Sequence, residues 1–168
     1  DGFTLGSSGG VNQSSQTYAS WNWLAGNSTS SNTDGTITAT VSANTKAGFS
    51  IVGYTGTGTA GTIGHGLDSA PELLLIKQRG SPIKNWLVGA TPLGWTKYLE
   101  GLNTDAAAVT NAATWNNSEP NSTTFPCSSF NNQNANGNTY ITYCFHSVDG
   151  YSKIGSYEGN GSSDGTFV

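Results

Sequence analysis

Thr139-Tyr140-Ile141-Thr142-Tyr143-Cys144-Phe145 decides the fold class. Apart from its Cys, every residue in this stretch is β-branched or aromatic, the types that fit a pleated, half-buried surface. Moving outward, further strands appear. Thr36-Ile37-Thr38-Ala39-Thr40-Val41 alternates polar with apolar and puts Ile37, Ala39 and Val41 on one face. Phe49-Ser50-Ile51-Val52-Gly53-Tyr54 follows. Pro71-Glu72-Leu73-Leu74-Leu75-Ile76-Lys77-Gln78 is a short apolar run opened by proline, and it predicts a strand buried on both faces. Asn85-Trp86-Leu87-Val88, Tyr98-Leu99 and residues 151–157 complete the series. Clusters of Gly, Asn, Ser and Pro separate these runs, as at Arg79-Gly80-Ser81-Pro82 and across 131–138. No stretch repeats its apolar residues at helical spacing, and only the Ala-rich residues 104–113 suit a turn or two of helix. The expectation is all-β: an antiparallel two-sheet β-sandwich or jelly roll.

Composition narrows the function. A chain of 168 residues is about one domain, or one domain with a terminal arm. Charged residues make up 10%, against about 25% in an ordinary soluble domain. Six Lys and Arg with a net charge of -4 cannot neutralise a phosphate backbone, so no nucleic-acid partner is expected. No apolar run approaches the ~18 residues of a membrane span, and no membrane insertion is expected. The chain starts at Asp1 and contains no Met, which reads as a processed product or a piece of a longer chain.

An internal echo shapes the domain reading. Phe3-Thr4-Leu5-Gly6-Ser7-Ser8 with Thr17-Tyr18-Ala19-Ser20-Trp21-Asn22-Trp23 parallels Phe125-Pro126-Cys127-Ser128-Ser129 with residues 139–145, without a gap. Gly48-Phe49-Ser50-Ile51-Val52-Gly53-Tyr54 parallels Gly150-Tyr151-Ser152-Lys153-Ile154-Gly155-Ser156-Tyr157 with a one-residue slip. Residues 1–46 therefore read as the end of a preceding repeat plus a Ser/Thr/Asn-rich linker arm. Residues 47–150 read as the sandwich domain, and 151–168 as the start of a following repeat or a terminal strand. Strands at the two ends would find partners in each other, in more of the chain, or in a neighbouring subunit, which marks Phe3, Tyr18, Trp21, Trp23, Tyr151 and Tyr157 as subunit-contact candidates.

Reactive residues are sparse. Cys127 and Cys144 flank a hairpin-like segment, and a disulfide there is one reading and two free thiols the other. His65 and His146 have no second ligand at metal spacing, and both read as structural. The acids mostly adjoin Gly, Pro or Ser, as turn residues do, and no nucleophile elbow or paired-carboxylate strand occurs. No enzyme activity, metal or cofactor is expected. Trp86, Trp95, Tyr98 and Trp115 are candidates for stacking on a sugar ring, with Trp86 and Tyr98 read as core residues if they face inward.

Taken together, residues 47–58, Ile63-Gly64-His65-Gly66-Leu67, Ala70-Pro71-Glu72-Leu73-Leu74-Leu75-Ile76-Lys77, Trp86, Leu93-Gly94, Tyr98-Leu99, Leu102-Asn103, Trp115-Asn116, Thr139-Tyr140 to Cys144-Phe145 and 150–161 resemble a widespread domain family of marine bacteriophage genomes. Its members look like large virion proteins of tailed phages with concanavalin A-like or laminin G-like jelly rolls. The resemblance covers residues 47–168 and carries over no catalytic residue. Where members often have an aromatic-plus-His segment, this chain reads Val88-Gly89-Ala90-Thr91. The resemblance implies a non-enzymatic structural or adhesion protein at a virion surface: a tail fibre, an appendage or a capsid decoration. Its partners would be other virion subunits, copies of itself, or a host-surface glycan. The alternatives are an extracellular filament or adhesin subunit that polymerises by terminal strand exchange, and a carbohydrate-binding module of a glycan-active enzyme.

Overall fold

The computed structural model describes residues 3–102 and 104–165. In chain order its elements are α1 (Gly9–Asn12), β1 (Ser30–Asn32), β2 (Ala39–Asn44), β3 (Phe49–Thr55), β4 (Gly61–Gly64), β5 (Leu73–Arg79), β6 (Leu87–Ala90), β7 (Lys97–Glu100), β8 (Val109–Thr110), β9 (Thr124–Cys127), α2 (Asn131–Asn134) and β10 (Thr139–Phe145). Eight strands form one sheet in the order β1-β2-β3-β10-β5-β6-β7-β8, each pair antiparallel, and β4 pairs with β9 in a second sheet. The protein is all-β, with two antiparallel sheets, as its sequence predicts. The Ala-rich stretch is not a helix: β8 forms at Val109–Thr110, and a single 3-10 turn follows at Ala112–Trp115.

The central strand β10 is the β-branched and aromatic stretch Thr139–Phe145. It lies between β3 and β5, with Tyr140 opposite Tyr54 on one side and Gln78 on the other. The period-two alternation sends Tyr140, Thr142 and Cys144 inward, with Val52 and Tyr54 of β3 and Leu74 and Ile76 of β5. The small sheet closes this layer with Ile63, Phe125 and Cys127. Trp115 fills the far end of the core, and its Nε1–H donates to the Lys97 carbonyl at 2.8 Å. Trp95 meets it edge-on, with ring centroids 5.2 Å apart. Gly89 of β6 makes room for both rings: a Cβ there would stand 2.4 Å from Trp115 and 2.6 Å from Trp95.

Two expectations shift. The large sheet takes β1 and β2 from residues 30–44, inside the stretch read as an arm, and Ile37, Ala39 and Val41 are core residues. The β5 run is buried on its inner face only. Its outer residues Leu73, Leu75 and Lys77 are half-buried.

Candidate functional site

Of the four aromatic candidates for stacking on a ligand, three lie in the core; the core reading of Tyr98 holds and that of Trp86 does not. Trp95 and Tyr98 are each 6% exposed and Trp115 is 0% exposed, so none offers a face to solvent. Tyr98 packs against Phe130 with centroids 5.8 Å apart. The reason is local. The Thr91–Leu93 turn and β7 lead Trp95 and Tyr98 back over β6, whose Gly89 leaves space for an indole rather than a wall. Only Trp86 stays on the outside, where it is half-buried.

The outer face of the large sheet supplies the aromatic surface that those residues do not. Because inner and outer residues alternate, β10 presents Ile141, Tyr143 and Phe145 outward, β3 presents Phe49, Ile51 and Gly53, and β5 presents Leu73, Leu75 and Lys77. Cross-strand register gathers them in rows. Phe145 lies between Phe49 and Leu73, and its ring centroid is 4.8 Å from that of Phe49. Tyr143 lies between Ile51 and Leu75, stacked on Trp86 at 6.1 Å. Lys77 Nζ stands over the Trp86 ring, 5.9 Å from its centroid, and donates to the Lys84 carbonyl, which fixes the loop that carries Trp86. Trp23 reaches this face from the N-terminal segment and packs on Phe49 and Phe145 at 6.2 and 5.6 Å. Together these side chains enclose a cleft of about 360 Å³ between Trp21, Trp23, Leu75, Trp86, Tyr143 and Phe145.

Toward the other end of the same face the rows turn polar. Thr139 lies between Thr55 and Arg79, and Gly53 lies between Thr40 and Ile141. With Thr38, Ser42 and Ser31 they line an open groove of about 530 Å³. Gly53 lowers its floor, and hydroxyls and the Arg79 guanidinium rim it. The two depressions share Ile51 and form one surface that grades from hydroxyl to aromatic.

Sequence reading missed Phe49, Tyr143 and Phe145, although the signal was present. A strand with one face in water carries polar residues at alternate positions, and residues 139–145 carry aromatic or aliphatic ones at 141, 143 and 145.

The cysteines are not bridged. Cys127 and Cys144 are both free and buried. The segment between them is no hairpin: β9 pairs with β4 and β10 with β3 and β5, so the two thiols belong to different sheets. Burial pushes Cys127 up to about 11 and Cys144 up to about 12. His65 is fully buried. It accepts from the Leu67 N–H at Nδ1 (3.1 Å), and its Nε2 lies 3.0 Å from the Asn121 carbonyl, which makes Nε2 the protonated nitrogen of a neutral ring. Burial lowers its pKa below the ordinary 6.5. His146 lies 3.3 Å from Asp68, a pair that the sequence spacing does not reveal.

The subunit-contact candidates Phe3, Tyr18, Trp21, Trp23, Tyr151 and Tyr157 are all exposed, with Trp23 also touching the outer face. No curated protein and no solved structure matches the chain. A family model described as a domain of unknown function (DUF7483) matches residues 1–168, and the chain belongs to that family.

Proposed function

We propose that this chain is a non-enzymatic contact module of a bacteriophage particle, part of a tail fibre, an appendage or a capsid decoration, working at the virion surface. The outer face of its large sheet is the surface it presents, to another virion subunit or to a host-surface glycan. One observation carries this reading. Ile51, Tyr143, Phe145, Leu75 and Trp86, over a Phe49 that Trp23 and Phe145 cover, crowd the side of the sheet opposite the core, where an open antiparallel sheet ordinarily meets water with polar side chains. The chemistry of that face is stacking and hydrogen bonding, which hold a partner in place. The adjoining groove favours a glycan among such partners, because its Thr and Ser hydroxyls and Arg79 match sugar hydroxyls beside an aromatic platform.

The experiment is immunogold labelling of intact particles made by the genome that encodes the chain, run beside a glycan array. Gold on the particle surface, with array binding that falls in a Trp86→Ala variant, is the expected result. Particles that carry no label overturn the virion reading. An array without a ligand removes the glycan and leaves a protein partner.

A further inference from the structure

The N-terminal segment folds as a second copy of the turn that leads into β10. Adding 122 to each residue number carries α1 onto α2 (9 to 131) and Tyr18 onto Tyr140. Both turns start from an extended residue, Ser8 (φ -63, ψ 126) and Phe130 (φ -65, ψ 125). Val11 and Asn12 donate to the Ser8 carbonyl at 3.1 and 2.9 Å, and Gln133 and Asn134 donate to the Phe130 carbonyl at 3.0 and 2.9 Å. The Tyr18 hydroxyl donates to the Gly9 carbonyl at 2.8 Å and accepts from the Gln13 N–H at 3.0 Å. The Tyr140 hydroxyl does the same with Asn131 and Ala135, at 2.7 and 2.8 Å. Even the left-handed residue recurs: Gly137 at φ 77 and, at the matching place, Ser15 at φ 64, a conformation that Ser rarely adopts.

The surroundings differ. Phe125 and Tyr140 are buried at 0% and 1%, whereas Phe3 and Tyr18 are 62% and 50% exposed. The copy keeps its local form without a sheet to receive it. Among the described residues, none makes a backbone–backbone hydrogen bond to residues 17–23.

The C-terminal segment carries the complementary half. Gly150-Tyr151-Ser152-Lys153-Ile154-Gly155 echoes the start of β3 from Gly48, with Tyr157 standing for Tyr54 after the slip. In the sandwich, β3 and β10 are hydrogen-bonded neighbours, with Phe145 opposite Phe49, Cys144 opposite Ser50, Tyr143 opposite Ile51 and Tyr140 opposite Tyr54. Residues 3–23 and 150–157 therefore echo the two halves of a strand pair that β10 and β3 make; Tyr151 and Ser152 now donate to the Val148 carbonyl at 3.0 and 2.9 Å, a turn that must open for them to pair elsewhere.

We infer that the N-terminal segment of one copy pairs antiparallel with the C-terminal segment of a second copy, joining copies head to tail. Carrying the β3–β10 register across sets Trp23 opposite Tyr151, Asn22 opposite Ser152, Trp21 opposite Lys153 and Tyr18 opposite Tyr157. Trp23 with Tyr151 repeats the Phe145–Phe49 contact, and Tyr18 with Tyr157 repeats the stacked Tyr140–Tyr54 pair. Lys153 beside Trp21 sets a cation against an indole, the kind of contact that Lys77 makes with Trp86. Residues 3–23 carry no charged side chain, so the negative chains meet here without repulsion. Two strands alone are marginal in water. This pair gains a third layer, because Trp23 already rests on the outer face of its own sandwich. The contact joins different surfaces of the two copies, so it propagates into a filament or closes into a ring. It goes beyond the virion reading and does not depend on it.

The test uses full-length chains in which the two positions lie on separate molecules. A Trp23→Cys chain is mixed with a Tyr151→Cys chain under mild oxidation, and the products are read on a non-reducing gel and by peptide mass mapping. Directly opposed positions on paired strands lie within disulfide reach. Both positions are exposed, and a circular dichroism spectrum matching wild type confirms that each variant folds. The expected product is a dimer joined at 23 and 151, formed several-fold more than in a mixture of Trp23→Cys with Tyr157→Cys. Sedimentation of the wild-type chain then shows species growing with concentration. Equal yields in the two mixtures, or a wild-type chain that stays monomeric throughout, overturn the inference.

Discussion

His65 shows how one buried side chain sets a pH dependence. Its ring is held neutral by the Leu67 N–H on one nitrogen and the Asn121 carbonyl on the other, and burial lowers its pKa below 6.5. The unfolded chain takes up a proton on this ring near pH 6.5, while the folded chain resists until lower pH. The unfolded state thus binds more protons in that window, and the contribution of His65 is complete above pH 6.5 and lost progressively below it. Thermal melts from pH 8 to 5 should show the midpoint falling below pH 6.5, and a His65→Gln variant should flatten that slope. An unchanged slope in the variant would place the acid sensitivity elsewhere. The thiols give a second residue-scale prediction. Cys127 and Cys144, buried and raised to about 11 and about 12, should resist a thiol reagent at neutral pH and react only on unfolding. Fast labelling of the native protein would contradict their placement. Their bridging was undecidable from sequence because spacing along the chain does not say which sheet a strand joins.

At the scale of elements, the contrast between Tyr140 and Tyr18 is informative. Both hydroxyls fasten the same kind of turn, one inside the sandwich and one in solvent. Removing a hydroxyl that serves buried backbone groups costs about 1–3 kcal/mol, whereas water replaces it at an exposed turn. Tyr140→Phe should therefore lower the denaturation midpoint clearly, and Tyr18→Phe should leave it within about 0.5 kcal/mol of wild type. A chemical-denaturation series on the two variants checks this, and equal losses would mean that the N-terminal turn is sheltered. The strands themselves were legible. Residues 139–145, 49–54 and 71–78 announced β10, β3 and β5 through residue type, and Ile37, Ala39 and Val41 announced the inner face of β2. The fate of residues 104–113 was less legible, because alanine favours helix only when length and packing support it, and neither does here.

For the whole molecule, alternation alone cannot say how strands from distant parts of the chain are ordered. The sequence did not disclose that β10 lies between β3 and β5, and so did not reveal that Tyr143, Phe145, Phe49 and Trp86 share one face. Beside Trp86, it named Trp95, Tyr98 and Trp115, which Gly89 and the β6–β7 connection draw into the core. Large aromatic residues serve both cores and contact faces, and only the fold separates the two uses. Under the proposed function, the outer face of the large sheet is where this protein meets its partner. An electron cryomicroscopy map of the native assembly, at side-chain resolution, tests it most directly. Density from another polypeptide or a glycan lying on Trp86, Tyr143 and Phe145 is the expected result. A map in which that face meets only bulk solvent, with all contacts made elsewhere, would contradict it.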